Sequence, residues 1–122
     1  MRPLIHPALE DVKVEAILHA LADPVRVAIY AGILGQYAAQ TCTAFSQVSE
    51  RIIPKSTLSE HFKVLREAGL IRSERKGVEM QNTSRCSEIE TRFPGLIPSI
   101  VSAHKMQITE EAKAAKKKAK RA

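Results

Sequence analysis

Residues 55–77 read KSTLSEHFKVLREAGLIRSERKG. Within them Leu58, Phe62, Leu65 and Ala68 recur at three- and four-residue intervals, which gives one side of a helix over residues 56–68 an apolar face. The opposite side holds Ser56, Thr57, Ser59, Glu60 and His61, with Lys63 and Arg66 further along. Ser56 is a good N-cap and Gly69 a good stop. Beyond the glycine, residues 70–74 and 78–84 predict two strands around a turn at Arg75-Lys76-Gly77. The hairpin carries Arg72, Arg75 and Lys76, with Arg85 at its far end. A helix with a short, polar outer face followed by a basic hairpin can place the helix in a groove of DNA and the hairpin against phosphates.

Upstream, Val14, Ile17, Leu18 and Leu21 repeat at i, i+3, i+4 and i+7 and predict a first helix over residues 9–22. Asp23 as N-cap and Pro24 at the first helical position, where a missing N–H costs nothing, open a second helix over residues 24–34 that Gly35 can end. Arg26 is expected to bond nearby carbonyls or carboxylates and fix the start of that helix rather than reach a phosphate. Residues 36–43 have little pattern and read as a loop. Phe45, Val48 and Ile52 line one side of a short third helix over residues 44–52, which Pro54 interrupts. Residues 87–92 form a short helical turn. A last helix from residue 94 onward carries Leu96, Ile97, Ile100, Val101, His104 and Ile108 on one stripe. The Ala/Lys run past Thr109 either prolongs that helix in solvent or is disordered.

The chain has 122 residues and is 44% hydrophobic, with 4% aromatics and no tryptophan. That suits one domain with an aliphatic core, mainly α in class. The formal charge is +6, which favours polyanion partners. Residues 110–122 hold six Lys/Arg against two Glu and account for +4, so the body carries only +2 and the placement of its cations decides more than their total. No apolar run approaches the ~20 residues a membrane span needs. The first residues lack the apolar core of a signal peptide, so a cytoplasmic protein without a membrane partner is expected. In that compartment Cys42 and Cys86 are expected to be thiols rather than a structural bridge.

No glycine-rich phosphate loop, no G-x-S-x-G and no H-E-x-x-H occurs, and Ser59, Glu60 and His61 are neighbours on one helix that point in different directions. Neither an enzyme nor a cofactor is expected. The third and fourth helices have helix-turn-helix proportions, and the N-terminal residues of the second member of such a pair approach base edges.

Two stretches carry a family resemblance. LADPVRVAIYAGIL, residues 21–34, matches a pattern L-x-D-P-x-R at Leu21, Asp23, Pro24 and Arg26. Residues 56–70 match S-x-x-S-x-H-[LF]-x-x-L-[RK]-x-A-G-L at Ser56, Ser59, His61, Phe62, Leu65, Arg66, Ala68, Gly69 and Leu70. Together they resemble the ArsR family of bacterial winged-helix transcriptional repressors, over roughly residues 9–104. The resemblance implies a winged helix-turn-helix with a small β-hairpin wing and a homodimer built by the first and last helices. It also implies a pseudo-palindromic operator in double-stranded DNA and repression relieved by an effector. The surplus of apolar residues on the terminal helices independently favours an interface. Residues 1–109 are then the DNA-binding and dimerisation domain, and residues 110–122 a basic tail. The DNA-binding set is Ser56, Thr57, Ser59, Glu60, His61, Lys63, Arg66, Arg72, Arg75 and Lys76. A winged-helix protein-interaction module without DNA binding is the alternative; the polar helix face, poor in aromatics and Met, argues against it.

For the effector, no metal site is expected, because Cys42 stands alone near the third helix and His104 lacks companion ligands. His19 reads as packing or solvent, and His6 lies in a segment read as flexible. A disulfide between Cys42 and Cys86 would tie the recognition unit to the wing, if their Cα atoms lie within ~7 Å. Arg85 beside Cys86 hints at a lowered thiol pKa. Two small buried side chains, a small organic ligand in a dimer cleft, or no effector at all are the other options.

Overall fold

Asp23 decides where the second helix starts. In the computed structural model, which describes residues 4–35, 40–41, 47–48 and 51–121, its Oδ1 accepts the backbone N–H groups of Val25 at 2.8 Å and Arg26 at 3.1 Å. Burial alone would raise the Asp23 carboxyl, but those two bonds, helped by the charges of Arg26 and His61, hold it below its ordinary value. With Pro24 at the first position, α2 runs Pro24–Leu34 and closes at Gly35. Arg26 donates from Nε to the carbonyl of Ala20 at 2.8 Å and from Nη2 to that of His19 at 3.3 Å. It therefore ties the end of the preceding helix to the start of α2, as expected. That preceding helix is shorter than its pattern: residues Leu9–Asp11 form a 3-10 turn, Val12 is extended, and α1 spans Val14–Ala20. Ile17, Ala20 and Leu21 are buried, whereas Leu18 is 48% exposed.

The loop and the third helix are corrected where the structure describes them. Gln40–Thr41 form a strand, β1, and Gln47–Val48 and Arg51–Ile52 form an antiparallel pair, β2 and β3. The rest of residues 36–50, Cys42 and Phe45 among them, lies outside the described residues. A helix would carry Ile52 and Ile53 on adjoining faces, yet Ile52 is 83% exposed and Ile53 only 8%. That alternation is the two-residue period of an extended chain. Pro54 enforces it by excluding helical geometry at Ile53, and both isoleucines are β-branched.

The next helix, α3, spans Lys55–Glu67 and starts one residue earlier than expected. Pro54, with φ −56° and ψ 144°, occupies the N-cap and supplies no side-chain bond, so Ser56 sits in the first turn and is not the cap. Leu58, Phe62 and Leu65 are buried along one side. The helix ends in a Schellman turn: Gly69 N–H donates to the Arg66 carbonyl and Leu70 N–H to that of Leu65, both at 3.0 Å. Gly69 is required twice, by its φ of +85° and by Val12, whose Cγ2 would lie 2.5 Å from an added Cβ.

Strands β4, Ile71–Lys76, and β5, Glu79–Ser84, pair antiparallel from Ile71↔Ser84 to Lys76↔Glu79. The turn is Gly77-Val78, so Arg75 and Lys76 end a strand rather than make the turn. The sheet order is β1-β5-β4, which leaves β4 at an edge. Helix α4 spans Cys86–Arg92, and α5 runs Leu96–Arg121, so the Ala/Lys run does prolong the last helix. One core joins these elements, with Ile17, Ile29, Tyr30, Phe62, Leu65, Leu70, Ile71, Ile89 and Ile97 all buried. Tyr30 reaches from α2 to β5, its hydroxyl 3.0 Å from Ser84 Oγ, and burial pushes its pKa upward. Among the described residues no single helix is long and apolar enough to cross a membrane.

Candidate nucleic-acid interface

Helix α3 turns a polar face outward. Ser56, Glu60, Lys63 and Glu67 are spaced four, three and four residues apart, so they stand in one row, with Ser59 and Thr57 beside it. All six are exposed, as is Lys55 at the helix start. The row is short-chained at its beginning, where Ser56, Thr57 and Ser59 leave the backbone approachable. Pro54 gives the first-turn N–H groups no side-chain cap, so that end of α3 retains donors suited to an anion.

One expected reader, His61, and one expected phosphate clamp, Arg66, sit differently. His61 is half-buried, and its Nδ1 is buried without a hydrogen-bond partner among the described residues. Its place in the helical period puts it beside the outer row of Ser56, Glu60, Lys63 and Glu67 rather than in it. Arg66 is also half-buried and turns to the hairpin, where Nη1 donates to Ser73 Oγ at 3.4 Å.

The hairpin divides along its length. Arg75 and Lys76 are exposed beside the turn, with no ion pair among the described residues, and Val78 at the apex is fully exposed. Arg72 is exposed too, but its Nη2 lies 3.6 Å from Glu88 Oε2. Arg85 does not extend the basic surface. It is 3% exposed, donates to both carboxylate oxygens of Glu88 (3.0 and 3.3 Å) and donates from Nη1 to the carbonyl of Pro7 at 2.8 Å. Those bonds, with Arg72 nearby, hold the Glu88 carboxyl below its usual range.

Behind these cations lies a buried polar cluster. Ser73 Oγ donates to Asn82 Oδ1 at 2.7 Å, across the register pair Ser73↔Asn82. The Ser73 N–H, on the edge of the sheet, donates to His6 Nε2 at 3.0 Å. His6 is therefore docked, not loose as the sequence suggested. Ser73, Asn82 and His6 position the site without being legible as part of it. Only the strand register reveals the first two, and nothing local reveals the third. Lys55 could have been found had the helix been started one residue earlier, and Glu67, inside the expected helix, follows from the spacing of Ser56, Glu60 and Lys63.

The thiol reading loses its electrostatic basis. Cys86 is a free thiol at the start of α4, and its N–H donates to Ser84 Oγ at 2.9 Å. Burial, and then the carboxylate of Glu90, push its pKa up, and the Arg85 guanidinium is turned to Glu88 and Pro7. Its expected partner Cys42 lies outside the described residues.

Comparison with known proteins agrees with this arrangement. A family model described as a helix-turn-helix domain matches residues 21–74, from the end of α1 through most of β4. A solved structure, an ArsR-like transcriptional regulator from Rhodococcus sp. RHA1, matches with a TM-score of 0.51 at 16% identity, over 84% of this chain and 89% of that one. No curated protein matches. With α3 set against α2, the Schellman turn at Gly69 and the β4–β5 hairpin as its wing, the chain carries a helix-turn-helix domain and shares the winged-helix fold of that regulator.

Proposed function

We propose that the protein is a transcriptional regulator that binds double-stranded DNA as a homodimer at a pseudo-palindromic operator and acts there as a repressor in the cytoplasm. The observation that carries DNA binding is the pairing of two surfaces: the exposed row of α3, headed by Ser56, Thr57 and Ser59, and the wing end with Arg75 and Lys76. Ser56, Thr57, Ser59 and Glu60 are the base readers in this reading. Lys55, Lys63, Arg75 and Lys76 hold phosphates, while Arg66 and Arg72 chiefly position the wing. His61 moves from reader to supporting residue. Repression and an effector that relieves it follow from the resemblance.

Exposed apolar side chains support the dimer. Leu18 on α1 and Met106 and Ile108 on α5 are 48%, 65% and 42% exposed, on the two helices expected to pair. Light scattering on the purified protein should give twice the 13.5 kDa chain mass.

The deciding experiment is to sequence the DNA that co-purifies with the protein and to titrate the selected duplex over a range of salt. Affinity should fall with log-log slope of about −0.9 per phosphate neutralised. Ser59→Ala should narrow the gap between operator and random DNA by about 1–3 kcal/mol if a base contact is lost. Absence of duplex binding at every salt concentration would leave the protein-interaction module as the better reading.

A further inference from the structure

We propose that residues 4–12 are a strap that holds the wing in place on α3, with the neutral imidazole of His6 as its hook. Strand β4 is an edge strand, and an outward N–H on such an edge needs an acceptor. The acceptor for Ser73 is His6 Nε2, at 3.0 Å. Three further attachments follow along the same segment. Arg85 donates to the Pro7 carbonyl at 2.8 Å, and Arg92 donates to the carbonyls of Leu9, at 2.7 Å, and Val12. Val12 is buried and packs on Gly69, in the turn that joins α3 to β4. The strap thus touches the wing, the turn that aims it, and α4. Ser73 is the junction: its N–H serves the strap, its Oγ serves Asn82 on β5, and that oxygen also accepts from Arg66 on α3.

The hook works only while His6 is neutral. Protonation of Nε2 removes the lone pair that Ser73 uses. It also adds a cation beside Arg66 of α3, Arg72 of β4 and Arg85 at the start of α4, opposed by Glu74 of β4. Burial first, and then those three arginines, lower the His6 pKa from its ordinary 6.5. A depressed folded-state pKa means that docking is fully intact above pH 6.5 and is lost as the pH falls through the lowered value. Mild acid should therefore free the wing. The effect on DNA rests on the DNA-binding reading above; the strap itself does not.

Amide hydrogen exchange at Ser73, expressed as a protection factor, tests the strap without DNA. In the wild type, protection should decline as the pH is lowered from about 7.5 to about 5. His6→Ala should already have lost about tenfold at the upper pH, the worth of one hydrogen bond. His6→Gln keeps an acceptor that does not titrate, so it should stay protected throughout. The proposal is overturned if His6→Ala matches the wild type at neutral pH, or if His6→Gln follows the wild-type pH profile. A parallel titration of the selected duplex should show wild-type affinity falling severalfold in acid and that of His6→Gln holding. If no duplex binds at any pH while the Ser73 profiles behave as described, the strap stands and the DNA reading fails.

Discussion

The root and the tip of the β4–β5 hairpin are built in opposite ways from the same two strands. At the root, Ser73, Asn82 and Arg85 are buried and held by bonds to one another's neighbours: Asn82, His6, Glu88 and Pro7. At the tip, Arg75, Lys76, Gly77, Val78 and Glu79 are exposed, and among the described residues backbone pairing is what orders them. Burial makes an unmade hydrogen bond expensive, so root side chains are fixed in the free protein. Water makes the same failure cheap at the tip, so its cations stay available to a partner. A basic side chain in this hairpin therefore means two things: Arg85 and, in part, Arg72 aim the wing, while Arg75 and Lys76 are left to touch something else.

The sharpest way to break that contrast is Arg85→Met. It should lower stability to urea by about 2–4 kcal/mol, somewhat less than loss of a fully buried ion pair because Glu88 is partly exposed. Next, Asn82→Ala should cost about 1–3 kcal/mol by stranding the Ser73 hydroxyl. At the tip the pattern reverses. Arg75→Ala with Lys76→Ala should change stability by less than about 0.5 kcal/mol. The same pair should weaken duplex binding to all sequences and shrink the salt slope by about 1.8. If the tip pair destabilises the fold as much as Asn82→Ala does, the division into root and tip is wrong.

The smallest expected effect refines the root. The Glu88 carboxyl is held below its ordinary 4.5, first by its hydrogen bond from Arg85. A depressed carboxylate contributes stability that is present above the ordinary value and lost as the pH falls through the lowered one. The stability gap between wild type and Arg85→Met, followed by denaturation at decreasing pH, should narrow in that window. A gap that does not change with pH would assign the role of Arg85 to its bond with Pro7 alone.

The exposed surface of the candidate site was legible where exposure follows from helical period. Ser56, Thr57, Ser59, Glu60 and Lys63 are exposed on α3 as expected, and Arg75 and Lys76 are exposed beside the turn, one step off their expected place. It was not legible where two elements meet. His61, Arg66 and Arg85 are polar, and polarity alone suggested outward-facing side chains, yet each is drawn inward by α2, β4 or residues 4–12. The helix expected over residues 44–52 failed for a related reason. Three apolar residues over so short a span fit a helix and a strand almost equally well, and the choice fell to Pro54 and to the alternating burial of Ile52 and Ile53.

By itself the sequence determined the parts that short-range chemistry controls. Asp23-Pro24 starts α2, the period from Leu58 to Leu65 sets the inner face of α3, and Gly69 turns the chain into the wing, because caps, periods and a positive φ act within a few residues. The tertiary structure alone decided which cations are free and which are tied. Ser73 finds His6 from 67 residues away, Arg85 finds Pro7 from 78, and Arg92 finds Leu9 from 83. No local pattern encodes such pairs; they form because closing the core brings polar groups together where water can no longer satisfy them.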